Sequence, residues 1–293
     1  MSNPLGSITR VLLPAILVFV AYSFLGPVAG IGILVVFALG YLYFNRALIY
    51  QNRAGKKYHN GDFDGALADL RKALSQSPKA HKIRGTYAFL LIKLGHTEEA
   101  ATEIDKALEG TVIEADKKPL TVTKALVLWK QGKVDEAIKL LEELLVTYEN
   151  TNVYATLGFL YIVKGDYTKA LEFNLRAKEF NGSNPVILDN LGTTYYLCGD
   201  FDNAFATYLE VMKNKPNFPE AFYNYAKLLD KKGDLEKALY MVRHSLTLRF
   251  WNTSTVTKEE IEAYLSELEA KEKAMELEKK ENEGSKEPID NIE

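Results

Sequence analysis

The hydrophobic pattern divides the chain in two. From Val11 to Asn45 no residue is charged, and Arg10 and Arg46 close the run on either side. As one helix this run would reach about 52 Å at 1.5 Å per residue, against a hydrocarbon core of about 30 Å. Leu25-Gly26-Pro27 offers a break, because proline disfavours helix in the residue before it and glycine adds backbone freedom. The pattern therefore predicts a helical hairpin over about 8–25 and 28–45, within an N-terminal membrane anchor at 1–45. Gly26, Gly30 and Gly40 would let the arms approach closely. Tyr22, Tyr41 and Tyr43 suit the membrane interfaces. Three competing readings remain: a shallow re-entrant hairpin, one span after a signal-like segment in which Arg10 precedes an apolar stretch at 11–22, and a buried helix of a soluble protein. Arg10 lies before the hairpin, and Arg46, Arg53, Lys56 and Lys57 lie after it. By the positive-inside rule both ends sit in the cytoplasm.

Beyond residue 45 the apolar positions become periodic. GDFDGALADL at 61 returns as GHTEEAATEI at 95, GKVDEAIKLL at 132, GDYTKALEFN at 165, GDFDNAFATY at 199 and GDLEKALYMV at 233. A period near 34 predicts a helical repeat. Five residues after each glycine stands an alanine: Ala66, Ala100, Ala137, Ala170, Ala204 and Ala238. Seven before it stands Ala54, Ala88, Ala125, Gly158, Gly192 or Ala226. Two antiparallel helices per period explain this. The glycine ends the first helix in a left-handed conformation, and the small residues mark where helices meet too closely for a larger side chain. Apolar residues two after the glycine (Phe63, Val134, Tyr167, Phe201, Leu235) and six after (Leu67, Ile138, Leu171, Phe205, Leu239) fill the space between.

Four residues before each glycine come Leu91, Leu128, Tyr161, Tyr195 and Leu229, with Lys57 the exception. Pro78 and Pro216 close their units, and Pro185 comes three residues late. In these residues the chain resembles the tetratricopeptide repeat (TPR) family over 46–250. The resemblance implies an all-α, right-handed superhelical solenoid of six helix-turn-helix repeats, with a concave face lined by the first helix of each. The sequence departs from the family pattern at a three-residue insertion within 109–118 and at Asn174, where an apolar residue is usual. Thr257-Lys-Glu-Glu260 is a capping box, and Ile261, Leu265 and Leu268 follow at helical spacing. This predicts a C-terminal capping helix within 251–280, ahead of a disordered acidic tail at 281–293.

The resemblance also says which residues face the groove: those three, six and ten before the glycine. Here they include Phe89, Ile92, Val122, Leu126, Trp129, Phe159, Ile162 and Tyr196. An apolar patch of this kind marks a binding site for an amphipathic helix or an extended apolar segment, or a face packed against the chain itself or another copy. A clamp for acidic C-terminal peptides is disfavoured. Asn190 and Asn224 occupy one of its asparagine slots, but the matching lysine and second asparagine are missing.

Charge and rare residues narrow the picture. Net charge is −3, and residues 258–293 hold 13 acids against 6 bases. The chain as a whole is thus no electrostatic match for nucleic acid. Cys198 is the one cysteine, so no internal disulfide or thiolate cluster forms. The histidines at 59, 81, 96 and 244 stand too far apart for a helical metal pair. No nucleophile–base constellation is recognisable, so neither an enzyme nor a cofactor site is expected. The sequence therefore reads as a membrane-anchored adaptor whose repeats hold a protein partner at the cytoplasmic face, while the hairpin contacts lipid. The alternatives are a self-associating component of a membrane-bound oligomer and an extracytoplasmic envelope assembly factor. The short, linker-free anchor and lone cysteine suggest a bacterial protein.

Overall fold

The computed structural model describes residues 4–284, with side chains over 15–281. These residues form fifteen helices and no strand. They fall into two compact units, Met1–Tyr87 and Ala88–Glu293.

In the first unit α1 (Pro4–Leu25) and α2 (Pro27–Phe44) pack together around a turn at Gly26. Gly26 has φ +88°, which costs glycine little and other residues more. Pro27 opens α2, where its missing N–H would have had no partner in the helix. The arms touch at Gly30: a Cβ there would lie 2.7 Å from that of Tyr22. Among the described residues α2 is the one helix long and apolar enough to cross a membrane. It does not run unbroken into α3 (Arg46–His59). Asn45 interrupts it, with its side-chain amide donating to the Tyr41 carbonyl at 2.9 Å.

Helix α3 pairs with α4 (Phe63–Gln76). Here the structure explains Lys57. Its ammonium lies 3.1 Å from Asp69, whose side chain is 1% exposed, and Arg53 lies 3.4 Å from the same carboxylate. A buried carboxylate is tolerated when paired, so Lys57 and Asp69 depart from the apolar pattern together. Helix α5 (His81–Lys93) begins in the first unit and ends in the second.

The second unit continues the same pairing: α6 (Thr97–Gly110), α7 (Glu114–Lys130), α8 (Val134–Leu145), α9 (Thr151–Lys164), α10 (Tyr167–Asn181), α11 (Pro185–Leu197), α12 (Phe201–Lys213), α13 (Pro219–Lys231) and α14 (Leu235–Ser245). The three-residue insertion lengthens α7 to 17 residues, with Pro119 inside it, instead of forming a loop. Helix α15 (Lys258–Gly284) caps the stack. Its capping box forms in both directions: the Thr257 amide donates to Glu260 at 2.7 Å, and the Glu260 amide to Thr257 at 3.1 Å. The helix runs four residues past its predicted end, and the rest of the predicted tail, 285–293, lies outside the described residues.

The repeated Gly-Asp dipeptide has a double role. All six repeat glycines have φ between +79° and +92°. At Gly132 the glycine N–H reaches the Trp129 carbonyl at 2.9 Å and the next N–H reaches Leu128 at 2.9 Å, the paired bonds of a Schellman motif. The aspartate that follows then caps the second helix. Asp62, Asp166, Asp200 and Asp234 each accept from the backbone N–H three residues on, at 2.9–3.3 Å. His96 and Lys133, at the same place, make no side-chain cap.

The ten alanines at the small-residue slots are at most 2% exposed. The two glycines at these slots answer to specific neighbours. A Cβ on Gly158 would stand 2.0 Å from Asn174 Oδ1, and one on Gly192 would stand 2.8 Å from the Tyr208 ring. Asn174 is fully buried, with its amide nitrogen donating to the Gly158 carbonyl and to Thr194 Oγ1. The residue that breaks the apolar pattern thus fills the space its glycine leaves. Gly192→Ala should cost about 1–3 kcal/mol by overpacking Tyr208, read as a lower midpoint in chemical denaturation. Gly192→Ala combined with Tyr208→Phe should remain destabilised, because the clash is with the ring and not the hydroxyl.

Candidate functional site

In the second unit α7 packs on α9, α9 on α11 and α11 on α13, so the first helices of successive pairs form one inner wall. Where α7 meets α9 the Trp129 and Phe159 rings contact edge to face at 4.7 Å, a favoured aromatic geometry. Both are half-buried against the core of α7–α10, as is Ile162, and Leu126 is half-buried beside them in sequence. The Lys130 ammonium stands 4.7 Å from the Trp129 ring, and burial lowers its pKa. Phe89 is 40% exposed, with Lys93 5.6 Å from its ring.

Two of the predicted wall residues offer little surface. Ile92 is fully buried and Val122 is 9% exposed, so both support the wall from within. Tyr196 belongs to another neighbourhood, on the α11–α13 part of the wall. Its ring and that of Tyr223 flank the Lys227 ammonium at 5.2 and 5.3 Å, and burial lowers the Lys227 pKa.

Behind this second neighbourhood lies a polar cluster that periodicity alone did not reveal. Asp189, 8% exposed, accepts from the Tyr208 hydroxyl at 2.9 Å and from the Asn224 amide at 3.4 Å. Asn224 also donates to Thr193 Oγ1 at 3.2 Å, and Thr193 and Tyr208 share a hydrogen bond at 2.9 Å. Asn190 reaches back to the Ala155 carbonyl on α9 at 2.8 Å. The two asparagines noted in the sequence are therefore engaged inside the fold. The signal for the cluster was an acid at a wall position beside an asparagine.

On the other side of α9 a cleft of about 760 Å³ opens between α8, α9 and α10. Glu142 there accepts from Tyr161 and, at 2.8 Å, from Lys169. The Lys169 hydrogen bond holds the Glu142 carboxyl below its ordinary range, and burial pushes Tyr161 up to about 12. Lys169 itself is raised, chiefly by Glu142. None of the three therefore changes charge near neutrality, and the network clasps three helices together. Among the described residues no group of three or more His, Cys, Asp or Glu side chains could hold a metal ion.

Burial pushes the Asp189 carboxyl up to about 7, Glu220 adds to the rise, and the Tyr208 and Asn224 hydrogen bonds oppose it. An acid with a raised folded-state pKa holds its proton in the fold after the unfolded chain has lost it. Stability therefore falls as pH rises from about 4 to about 7. Asp189→Asn keeps an acceptor for Tyr208 and removes the charge. Its melting temperature should fall less than that of the wild type between pH 5 and pH 8; parallel pH profiles would refute this account of Asp189.

The comparisons with known proteins agree with this architecture. Tetratricopeptide repeat profiles match residues 58–111, 122–185, 186–218 and 207–240, together more than half of the chain. A TPR repeat-containing protein of Methanocaldococcus jannaschii is 26% identical over 180 residues, which cover 58% of this chain and 31% of that one. The chain thus spans about a third of that relative's length. A tetratricopeptide repeat protein from Parabacteroides merdae superposes with a TM-score of 0.63 at 16% identity, over 76% of this chain and 84% of its own. The PilF protein of Pseudomonas aeruginosa gives 0.54 at 18% identity, over 69% and 91%. At these identities the superpositions establish the fold alone. With the repeat profiles, the left-handed glycine turns and the paired helices in agreement, the chain belongs to the tetratricopeptide repeat family.

Proposed function

We propose that this chain is a membrane-anchored scaffold of six tetratricopeptide repeats that holds a protein partner on its inner wall. The observation that carries the reading is the Trp129–Phe159 pair, two large rings in contact and partly exposed where the first helices line up. Large aromatic side chains are enriched among the few residues that carry most of the binding energy in protein interfaces. Phe89, Leu126 and Ile162 extend the apolar strip, and Lys130 adds a cation at its edge. An amphipathic helix or extended apolar segment that carries an acid fits this combination. Ile92 and Val122 hold the strip in place, and Tyr196 with Lys227 forms a separate patch.

Anchoring rests on the first unit. Phe24, Val28 and Phe44 are each more than 80% exposed, and most large apolar residues of α1 and α2 with described side chains are exposed too. Lipid tails would cover such a surface, whereas water would not. The basic residues after α2 favour a cytoplasmic scaffold.

Two experiments test these readings. In-cell crosslinking followed by pull-down should capture specific proteins with the wild type and lose them with Trp129→Glu/Phe159→Glu, provided circular dichroism shows the variant folded. Capture of the same set by both forms, or of the chain alone, would move the function to self-association or another face. For the anchor, the full chain should stay with membranes through an alkaline wash and leave them in detergent. Cys198 is exposed, so an impermeant maleimide should label it only after permeabilisation. Labelling in intact cells would place the scaffold outside the cytoplasm.

A further inference from the structure

The segment 247–257, between α14 and α15, is longer than a repeat turn requires, and it crosses the second unit to reach α5. Its anchors are firm. Ser245 before it and Ile261 after it are fully buried, and Phe250 and Val256 pack on the core of α11–α15. Between these anchors the chain leaves its neighbours. The Asn252 amide N–H donates to the Lys93 carbonyl at 3.0 Å, and its side-chain amide donates to the Ile92 carbonyl at 2.9 Å. Both carbonyls lie in the last turn of α5, where a helix runs out of its own donors; that of Ile92 also accepts from the Gly95 N–H at 3.3 Å. The Lys93 ammonium stands 3.9 Å from the Trp251 ring and 5.6 Å from the Phe89 ring, so one cation bridges a residue predicted to face the wall and this segment. Further along, the Thr255 N–H donates to Glu220 on α13 at 2.9 Å. A short turn, with the Trp251 N–H on Ser254 Oγ and the Ser254 N–H on the Trp251 carbonyl, shapes the tip.

We infer that residues 247–257 form a releasable strap across the α5 end of the inner wall, and that a partner on this wall competes with it. The inference rests on the wall being the binding face. Two features make the strap releasable. Its ends are held by the core independently of its tip, so the tip lifts without unfolding α14 or α15. The tip itself is held by side chains that remain partly exposed: Trp251 and Asn252 are half-buried and Thr255 is exposed. Hydrogen bonds and a cation–ring contact of this kind are individually modest. Two features make the strap more than a cap. Beyond the α13 contact of Thr255, Asn252 at its tip reaches the end of α5, 160 residues away in sequence at Ile92. It also meets the wall beside Phe89, through the shared lysine.

Amide hydrogen exchange on the full chain in detergent micelles tests the motion without any partner. The amides of Asn252 and Thr255 should be protected, yet exchange at least tenfold faster than the buried amides of α9 and α11, as expected of a local opening. Asn252→Ala should speed both by about a further tenfold and leave α9 and α11 unchanged. Strap amides that exchange with the core helices, or that show no protection, would overturn the inference. A lock tests the competition. A Cβ on Gly95 would lie 3.9 Å from that of Asn252, within the range a disulfide spans. In a Cys198→Ser background, Gly95→Cys/Asn252→Cys should, when oxidised, lose at least tenfold of the capture that depends on Trp129 and Phe159, and regain it on reduction. The reduced form controls for the strain of a side chain at the left-handed Gly95. Equal capture by both forms would overturn the competition. If no capture depends on Trp129 and Phe159, the wall reading fails and competition with it, while the exchange result still decides whether the strap opens.

Discussion

A left-handed residue between two helices sets the geometry of every pair. Glycine enters that conformation at little cost, whereas a residue with a Cβ pays roughly 1 kcal/mol or more. At Gly132, Gly199 and Gly233 the turn satisfies two carbonyls at the end of the first helix. Where aspartate follows, it satisfies an N–H at the start of the second helix. Chain direction therefore reverses within about two residues, and the two helices leave the turn at a nearly fixed angle. The positions that collide are then fixed too, seven residues before the glycine and five after. That is why these slots are small throughout and why the same face of each first helix turns inward.

This logic explains what the sequence disclosed and what it withheld. Period, turn, small slots and C-terminal capping box are consequences of local geometry, and each leaves a mark at a constant offset. The compensated departures leave none. Lys57 reads as a mismatch until Asp69 is seen against it, and Asn174 reads as one until Gly158 and Thr194 are. Each exception is a pair whose members look wrong separately. The inner wall was legible as a set of positions, but exposure depends on how deeply each position sits. Trp129 and Phe159 meet at the surface, while Ile92 three residues from Phe89 is buried completely. Periodicity assigns a face and cannot assign a depth.

The polar groups inside the stack follow the same rule of compensation. From Asn174 a hydrogen-bonded path runs to Thr194, from Thr194 to the Asn190 carbonyl, and from the Asn190 side chain to the Ala155 carbonyl. It ties α9, α10 and α11 together inside otherwise apolar packing. Apolar contacts between helices tolerate sliding, whereas a chain of matched donors and acceptors does so only by leaving buried groups unpaired. The seam thus fixes the register of one pair on the next at the point where the groove passes from its aromatic strip to its tyrosine–lysine patch.

Stacked repeats normally interact only with their neighbours, so their stability is close to a sum of local terms. The strap breaks that rule. Through Asn252 it connects the end of α5 to the segment after α14, which lets the two ends of this unit sense each other. Any change in how the intervening pairs stack shifts the distance the strap must span. An occupant of the wall that alters this stacking acts on the strap even without touching it, and a seated strap resists the same alteration. If the wall holds a partner as proposed, binding and strap release are linked through one elastic body, and by reciprocity whatever loosens the strap makes the wall easier to occupy.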